Sequence, residues 1–417
     1  MARYIMTKRT FKTFKDTKEI LVYNEKRGIY EPEGRIVIDK MAESILADEG
    51  LGRQATNGYM ISVAGHIQRL TYTDRNKFNS KPYLLNLSNG VYNLKTKKFL
   101  DHSPDFLFTI RIPIEYDPDA DCPKIRKFLS EIVQEKNIPL LEEIFGWCLD
   151  LDSPIQKAIV FVGEGANGKS TFLNVLVTFL GRENCVAVTL QSLSKNRFDK
   201  AQLFGKMANI HPDLPATLIA DTSVIKALTG GDSISAEKKF QDGFTFVNKA
   251  KQIFSANQLP VIDDESLAIW RRIILVTFPN RFLGDNVDKE ILKKLTTPKE
   301  LSGLLNIALE GLARIQEKED FTYIPSVEAT REKYVAMSDP IRNFIETQCQ
   351  LDSWKETPKP KLFKAYGNYC ALHKIPVGTN RAFGRSLKKK YRGTIGERQN
   401  NWTGIVLRRE KAVNAGE

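Results

Sequence analysis

The chain has 417 residues and a mass of 47.3 kDa, enough for two or three domains with real cores. Its 42% hydrophobic and 27% charged residues are those of a globular protein and exclude extensive disorder. Lys and Arg outnumber Asp and Glu by 62 to 50, a formal charge of +12, which favours a polyanionic partner, nucleic acid first, although a generally basic enzyme has the same balance. Five cysteines, widely spaced and without a CxxC pair, argue against a disulfide scaffold or a zinc finger and for a reducing, cytoplasmic setting. No apolar run approaches the roughly 20 residues of a membrane span, and the basic N-terminus is not followed by a secretory core.

EILVYNEKRGIY (19–30) predicts two short strands around a polar turn, and residues 34–49 carry apolar side chains at helical spacing. YLLNLSNGVYNLKTKKFLD (83–101) alternates between turn signals, and FTIRIPIEYD (108–117) predicts a further strand. Asp121, ahead of Cys122-Pro123, is expected to cap a helix whose apolar residues are Ile125, Phe128, Leu129 and Ile132. A second helix follows over 140–150. The reading is an N-terminal α+β domain over 1–120 and a helical collar over 121–154.

From 155 to 320 the strand-like runs KAIVFV, KMANIH, KQIFSA and RIILVTF alternate with helical stretches, the pattern of an α/β domain with a parallel sheet and flanking helices. A linker helix is expected over 321–338, and Ser338-Asp339-Pro340 marks the boundary of a last unit, 339–417.

Gly163-Glu164-Gly165-Ala166-Asn167-Gly168-Lys169-Ser170 fits the G-x-x-x-x-G-K-[ST] phosphate loop (Walker A), with a strand before it and the helix STFLNVLVTFL after it. Gly163, Gly165 and Gly168 let backbone N–H groups converge on phosphate oxygens at a helix N-terminus. Asn167 and Thr171 complete the nucleotide cradle. Lys169 would meet the β and γ phosphates of ATP, and Ser170 would offer its hydroxyl to Mg²⁺. The metal also needs an acid, and Asp213, after the strand KMANIH, is the nearest candidate; a capping Asp is the plainer reading. His211 is left without a role. Asn257 closes the strand KQIFSAN, where an amide could orient the attacking water. Arg271 and Arg272 precede the strand IILVTF, where one could stabilise transition-state charge, in cis or across a subunit interface.

On GEGANGKST (163–171), IHPDLP (210–215), IKALTGGDSISAEKKF (225–240), IFSAN (253–257) and WRR (270–272), the chain resembles superfamily 3 helicases, specifically the helicase part of phage, plasmid and poxvirus-type primase–helicases. The upstream GVYNLKTKKFL and YDPDADCPKIRKFLSEI resemble the region that precedes the ATPase in those proteins. The resemblance implies an AAA+-like ATPase in a ring, usually a hexamer, with each ATP between subunits and Arg271 or Arg272 reaching the neighbour's γ-phosphate. It implies Lys169, Ser170, Asp213 and Asn257 as nucleotide, metal and sensor residues, and Lys238 and Lys239 on a hairpin lining a channel for one DNA strand. Two features depart from the family. Asp213 stands alone where an acidic pair is common, which leaves Asp221 and Asp232 as substitutes for activating water. The one dense acidic cluster upstream, Asp117, Asp119 and Asp121, sits in a Pro-broken loop unsuited to two-metal chemistry, so no primase is expected in this chain.

From Asp339 the order of three helices and two short strands suggests a winged helix. Residues 378–417 hold ten cations against three carboxylates, more than half of the chain's surplus. Arg381, Arg385, Lys388, Lys389 and Lys390 lie on the presumptive recognition helix, where they would meet phosphates, although such a module also docks proteins. The expectation is a replicative DNA helicase of a virus or mobile element, translocating on single-stranded and forked DNA, with ATP and Mg²⁺ as cofactors and a separate primase or initiator as partner. The alternative is an origin-binding protein that uses ATP only to load a ring on DNA. A packaging or RNA-directed ATPase comes third.

Overall fold

The computed structural model describes residues 1–408 except 153, 220, 238–242, 263, 265, 285–286, 323 and 374–376. Helix α1 (Ala2–Lys8) leads into β1 (Phe11–Phe14), β2 (Ile20–Asn24) and β3 (Ile29–Glu31), followed by α2 (Gly34–Asp48), α3 (Asn57–Leu70) and β4 (Tyr72–Thr73). The strands form one sheet in the order β3-β2-β1-β4, with β1 antiparallel to β2 and parallel to β4. Ile5, Phe11, Val22, Ile38 and Ile67 close the core between this sheet and the helices. The Thr56 hydroxyl accepts from Tyr59 N at 3.3 Å and starts α3.

A meander of β5 (Leu84–Asn86), β6 (Val91–Asn93) and β7 (Lys98–Leu100) follows. FTIRIPIEYD is extended but is not a strand, contrary to its apolar alternation. Pro113 in its middle has no N–H to give a ladder, and the segment keeps only single bonds, such as Ile112 N to Asn86 O at 2.9 Å.

Helices α4 (Pro123–Ile132) and α5 (Ile138–Leu149) bring the chain to β8 (Ala158–Val162), α6 (Lys169–Leu180), β9 (Cys185–Val186), α7 (Leu190–Lys195), α8 (Arg197–Ala201) and β10 (Ala208–His211). Next come α9 (Ser223–Gly230), a hairpin of β11 (Ser233–Ala236) and β12 (Phe244–Val247), β13 (Lys251–Ala256), α10 (Leu267–Trp270) and β14 (Ile273–Thr277). The central sheet is parallel, in the order β14-β8-β13-β10-β9. Its middle strands are buried at every position but one, His211 at the end of β10, as a sheet covered on both faces requires. Helices α11 (Ile291–Leu295), α12 (Pro298–Lys318) and α13 (Val327–Ser338) complete this region.

The start of α4 differs from expectation. Its first turn is capped not by Asp121, which pairs instead with Arg126 at 3.2 Å, but by Glu300 of α12, whose carboxylate accepts from Lys124 N at 3.3 Å and Ile125 N at 3.1 Å. Helix α5 lies along α12 so closely that a Cβ on Gly146 would stand 2.3 Å from Ala308 O and 2.5 Å from Leu312 N. Because both obstacles are backbone, Gly146→Ala must push the helices apart, and we expect it to destabilise the fold by about 1–3 kcal/mol, read from denaturant midpoints.

Lys251 opens β13 at 6% exposure, with Nζ 5.1 Å from the centre of the Trp147 ring. Burial pushes its ammonium down to about 8, against the pull of Asp150. Between about 8 and the model-compound value of 10.5 the unfolded chain binds the proton more strongly, so stability rises with pH in that window and the cost is fully present below it. Lys251→Met should therefore raise the melting temperature at pH 7, by the equivalent of about 2–3 kcal/mol, and lose that advantage by pH 10.5. A lower melting temperature at pH 7 would count against this account.

The last unit runs α14 (Pro340–Gln348), β15 (Cys349–Pro358), α15 (Lys359–His373), α16 (Asn380–Lys390), β16 (Gly396–Arg398) and β17 (Asn401–Leu407), with a sheet ordered β15-β17-β16. Asp339 caps α14 by accepting from Arg342 N at 3.0 Å. Phe344, Tyr366, Phe383, Leu387 and Trp402 form its core.

Candidate functional site

Residues 163–168 leave the end of β8 and turn directly into α6, whose first residue is Lys169. Gly165, Ala166 and Gly168 take φ values of 98°, 51° and 86°. At Gly168 a side chain is barred twice, by φ and by Ile132 of α4, whose Cγ2 would lie 2.4 Å from a Cβ. The Lys169 ammonium, 4% exposed, donates to Gly163 O at 2.6 Å, Asn167 Oδ1 at 3.1 Å and Asn257 Oδ1 at 3.2 Å. All three acceptors are neutral, and burial pulls the lysine below its ordinary range, against the opposing charge of Asp213. Asn167 is buried, and its Nδ2 has no hydrogen-bond partner among the described residues. A cation without a counter-ion, an unpaired amide N–H and a helix N-terminus therefore meet at one loop, an arrangement suited to a polyanion.

Asp213 and Asn257 follow β10 and β13 and lie at the same edge of the sheet as the glycine loop. The bond from Leu214 N to Ser255 O at 2.7 Å ties the loop after β10 to the end of β13. His211 stands beside them, half-buried, its Nδ1 without a partner, and burial lowers its affinity for a proton against the pull of Asp213. Ser170 and Asp213 are exposed and offer the oxygen-only donors that Mg²⁺ takes. Asp221 instead accepts from Ser223 N at 2.9 Å at the start of α9. Asp232 acts electrostatically on Arg272, away from the loop.

The two arginines lie at the opposite edge. Arg272 O accepts from Ala158 N at the start of β8, so the length of that strand, roughly 15 Å, separates both from the glycine loop. Arg272 is 8% exposed and donates to Ala268 O at 2.6 Å and Gln156 Oε1 at 3.1 Å, while Arg271 is exposed. Helix α10, which carries them forward, is anchored by Asp264: its carboxylate accepts from Lys226 at 2.7 Å, from Ser266 N at 2.8 Å and from the Thr222 hydroxyl. These bonds, that of Lys226 foremost, hold the Asp264 carboxyl well below the usual range. Lys238 and Lys239 lie outside the described residues.

On α16, Lys388 pairs with Glu397 and Lys390 with Asp339. Lys359 and Lys388 together hold the Glu397 carboxyl down at about 2. Arg381, Arg385 and Lys389 recur every four residues, are exposed, and have no ion-pair partner among the described residues.

Residues 2–134 match the family described as D5 N terminal like, and residues 161–272 match a family of unknown function, DUF5906. A helicase-named protein of Acanthamoeba polyphaga mimivirus is 28% identical over 229 residues, 52% of this chain and 24% of that protein. Primase D5 of fowlpox virus is 27% identical over 224 residues, 48% of this chain and 28% of that protein. The apo structure of the NrS-1 C terminal region covers 98% of both chains with a TM-score of 0.50 at 12% identity. Together these similarities support a phage- and poxvirus-type primase–helicase family. The structural likeness, repeated at a TM-score of 0.51 with the A form, speaks for the fold. The chain spans about a quarter of the length of the curated relatives it matches.

The glycine loop, Asp213 and Asn257 stand together, while the arginines stand apart from them. What the sequence did not reveal is the support behind these residues: Ile132 under Gly168 at one edge, and Gln156 holding Arg272 at the other. No local pattern carries either signal.

Proposed function

We propose that the chain is the ATP-dependent helicase part of a DNA replication protein, working as a ring with its nucleotide between subunits. The observation that carries this reading is the division of the site between two edges of one sheet. Lys169, Asp213 and Asn257 stand at one edge and exposed Arg271 at the other. An arginine finger so far from its own phosphate loop would serve a neighbour's, which a closed ring supplies. The sheet order β14-β8-β13-β10-β9 supports an AAA+-like P-loop fold, and the domain limits follow the sequence reading: 1–120, 121–154, 155–320, 321–338 and 339–417.

In the proposed reaction Lys169 leaves its three neutral acceptors for the β and γ phosphates, Asn257 is freed to orient the attacking water, and Arg271 of the adjacent subunit meets the charge that develops. Ser170 and Asp213 would hold Mg²⁺, which when bound neutralises phosphate charge.

The last unit reads as a winged helix with α16 as its recognition helix, and the three unpaired cations Arg381, Arg385 and Lys389 support DNA phosphates as its ligand. Replacing all three with Ala should flatten the dependence of log Kd on log salt by about 2–3 units. Lys388→Ala, which removes an already paired cation, should change it by less than 1 unit. Filter binding across a salt series reads both.

The function is tested by steady-state ATP hydrolysis with and without single-stranded DNA, at low and moderate salt. Stimulation that weakens as salt rises supports a motor gripping phosphates. An unstimulated rate with ATP-dependent assembly supports the ring-loading alternative.

A further inference from the structure

A cleft of about 440 Å³ lies between the N-terminal sheet and the central domain, away from the glycine loop and within the size range of small-ligand sites. From the N-terminal side it is lined by Phe14, Arg75 and Phe78, and from the central side by Phe204, Phe246 and Lys206. Lys249 completes its rim, and no carboxylate is among its described lining residues.

The aromatic and cationic groups are fixed in advance. Arg75 donates through Nε to Asp16 Oδ2 at 2.8 Å and through Nη2 to Asp16 Oδ1 at 3.2 Å, which holds its guanidinium 3.8 Å above the centre of the Phe14 ring and 5.6 Å from that of Phe204. Phe78 meets Phe14 edge-on at 5.0 Å, and Phe204 meets Phe246 edge-on at 5.4 Å. Lys206 donates to a carbonyl, Glu183 O at 2.5 Å, whereas Lys249 is paired with Asp152 and Arg75 with Asp16.

Flat apolar walls with one cation, Lys206, left without an ion pair among the described residues, and a guanidinium face at Arg75, suit a ligand that is a planar ring joined to an anion. We propose that this cleft binds a nucleotide unit, with its base against the phenylalanines and its phosphate toward Arg75 and Lys206. Phe246 lies on β12, so the occupant touches the root of the β11–β12 hairpin and the N-terminal sheet at once. The unit is either a free nucleotide or one residue of a DNA strand; the chemistry is shared.

The test is photo-crosslinking of the full chain and of Lys169→Ala with two probes, 8-azido-ATP and a single-stranded oligonucleotide carrying 5-iodouracil, followed by mapping of the labelled peptides. Label in 75–80 or 203–206 is expected with at least one probe and should persist in Lys169→Ala, while label near 163–170 is lost. The probe that labels the cleft identifies the source. Arg75→Gln combined with Phe204→Ala should lower that label about tenfold and spare label near 163–170. Absence of label in both cleft segments of the unaltered chain overturns the proposal, as does undiminished label in the double variant. Failure of the phosphate-loop reading would show separately, as ATP turnover retained in Lys169→Ala.

Discussion

Replacing Arg271 with Ala is expected to cut ATP turnover by about 10³-fold or more without lowering the melting temperature, whereas Arg272→Ala should do the reverse. The Arg271 side chain is exposed and has no hydrogen-bond or ion-pair partner among the described residues. Arg272 is buried between Ala268 O and Gln156 Oε1, and its loss leaves both acceptors unpaired, at a cost of about 1–3 kcal/mol each at most. The test of trans action is to mix inactive subunits. Arg271→Ala and Lys169→Ala chains damage opposite sides of an interface, so in mixed rings about a quarter of interfaces carry two intact sides and turnover returns. If mixtures stay as dead as their components, Arg271 does not act across an interface.

The second large effect is at Lys169. Lys169→Ala should lower ATP hydrolysis by about 10³-fold and leave the melting temperature of the ligand-free chain unchanged or higher. The direction of the stability effect follows from the site. The ammonium is buried with neutral acceptors only, and burial already disfavours its charge. Its removal relieves a cation buried without a counter-ion, which offsets the three acceptors it leaves unpaired. Calorimetry of the variant beside the parent, paired with a turnover assay, reads both expectations, and a lower melting temperature would contradict the account of the loop.

Much of this was legible because it is local. GEGANGKS is contiguous and its flanking strand and helix are strongly apolar, so the loop could be placed without any long-range contact. The alternation of the four central strands fixed the parallel sheet for the same reason. What resisted reading depends on distant partners. Arg271 and Arg272 are adjacent and chemically identical, and only Gln156, 116 residues earlier, makes one structural. Glu300, 175 residues after Ile125, takes the capping role that Asp121 was expected to fill. Strand β15 was missed because CQLDSWKETP buries only Cys349 and Thr357, and an edge strand with so little apolar surface has no alternation to see.

The seat of the glycine loop has a consequence for biosynthesis. Gly168 rests on Ile132 of α4, α4 is capped by Glu300, and α5 is locked by backbone contact to α12. A nascent chain that has just emerged through residue 180 holds the whole glycine-loop sequence but neither the cap nor the helix that closes over α5. The loop is completed only after α12, ending at Lys318, has left the ribosome. At about 5–20 residues per second, that delay lasts roughly ten seconds or more, and during it the apolar face of α5 is exposed to whatever chaperone stands at the tunnel exit.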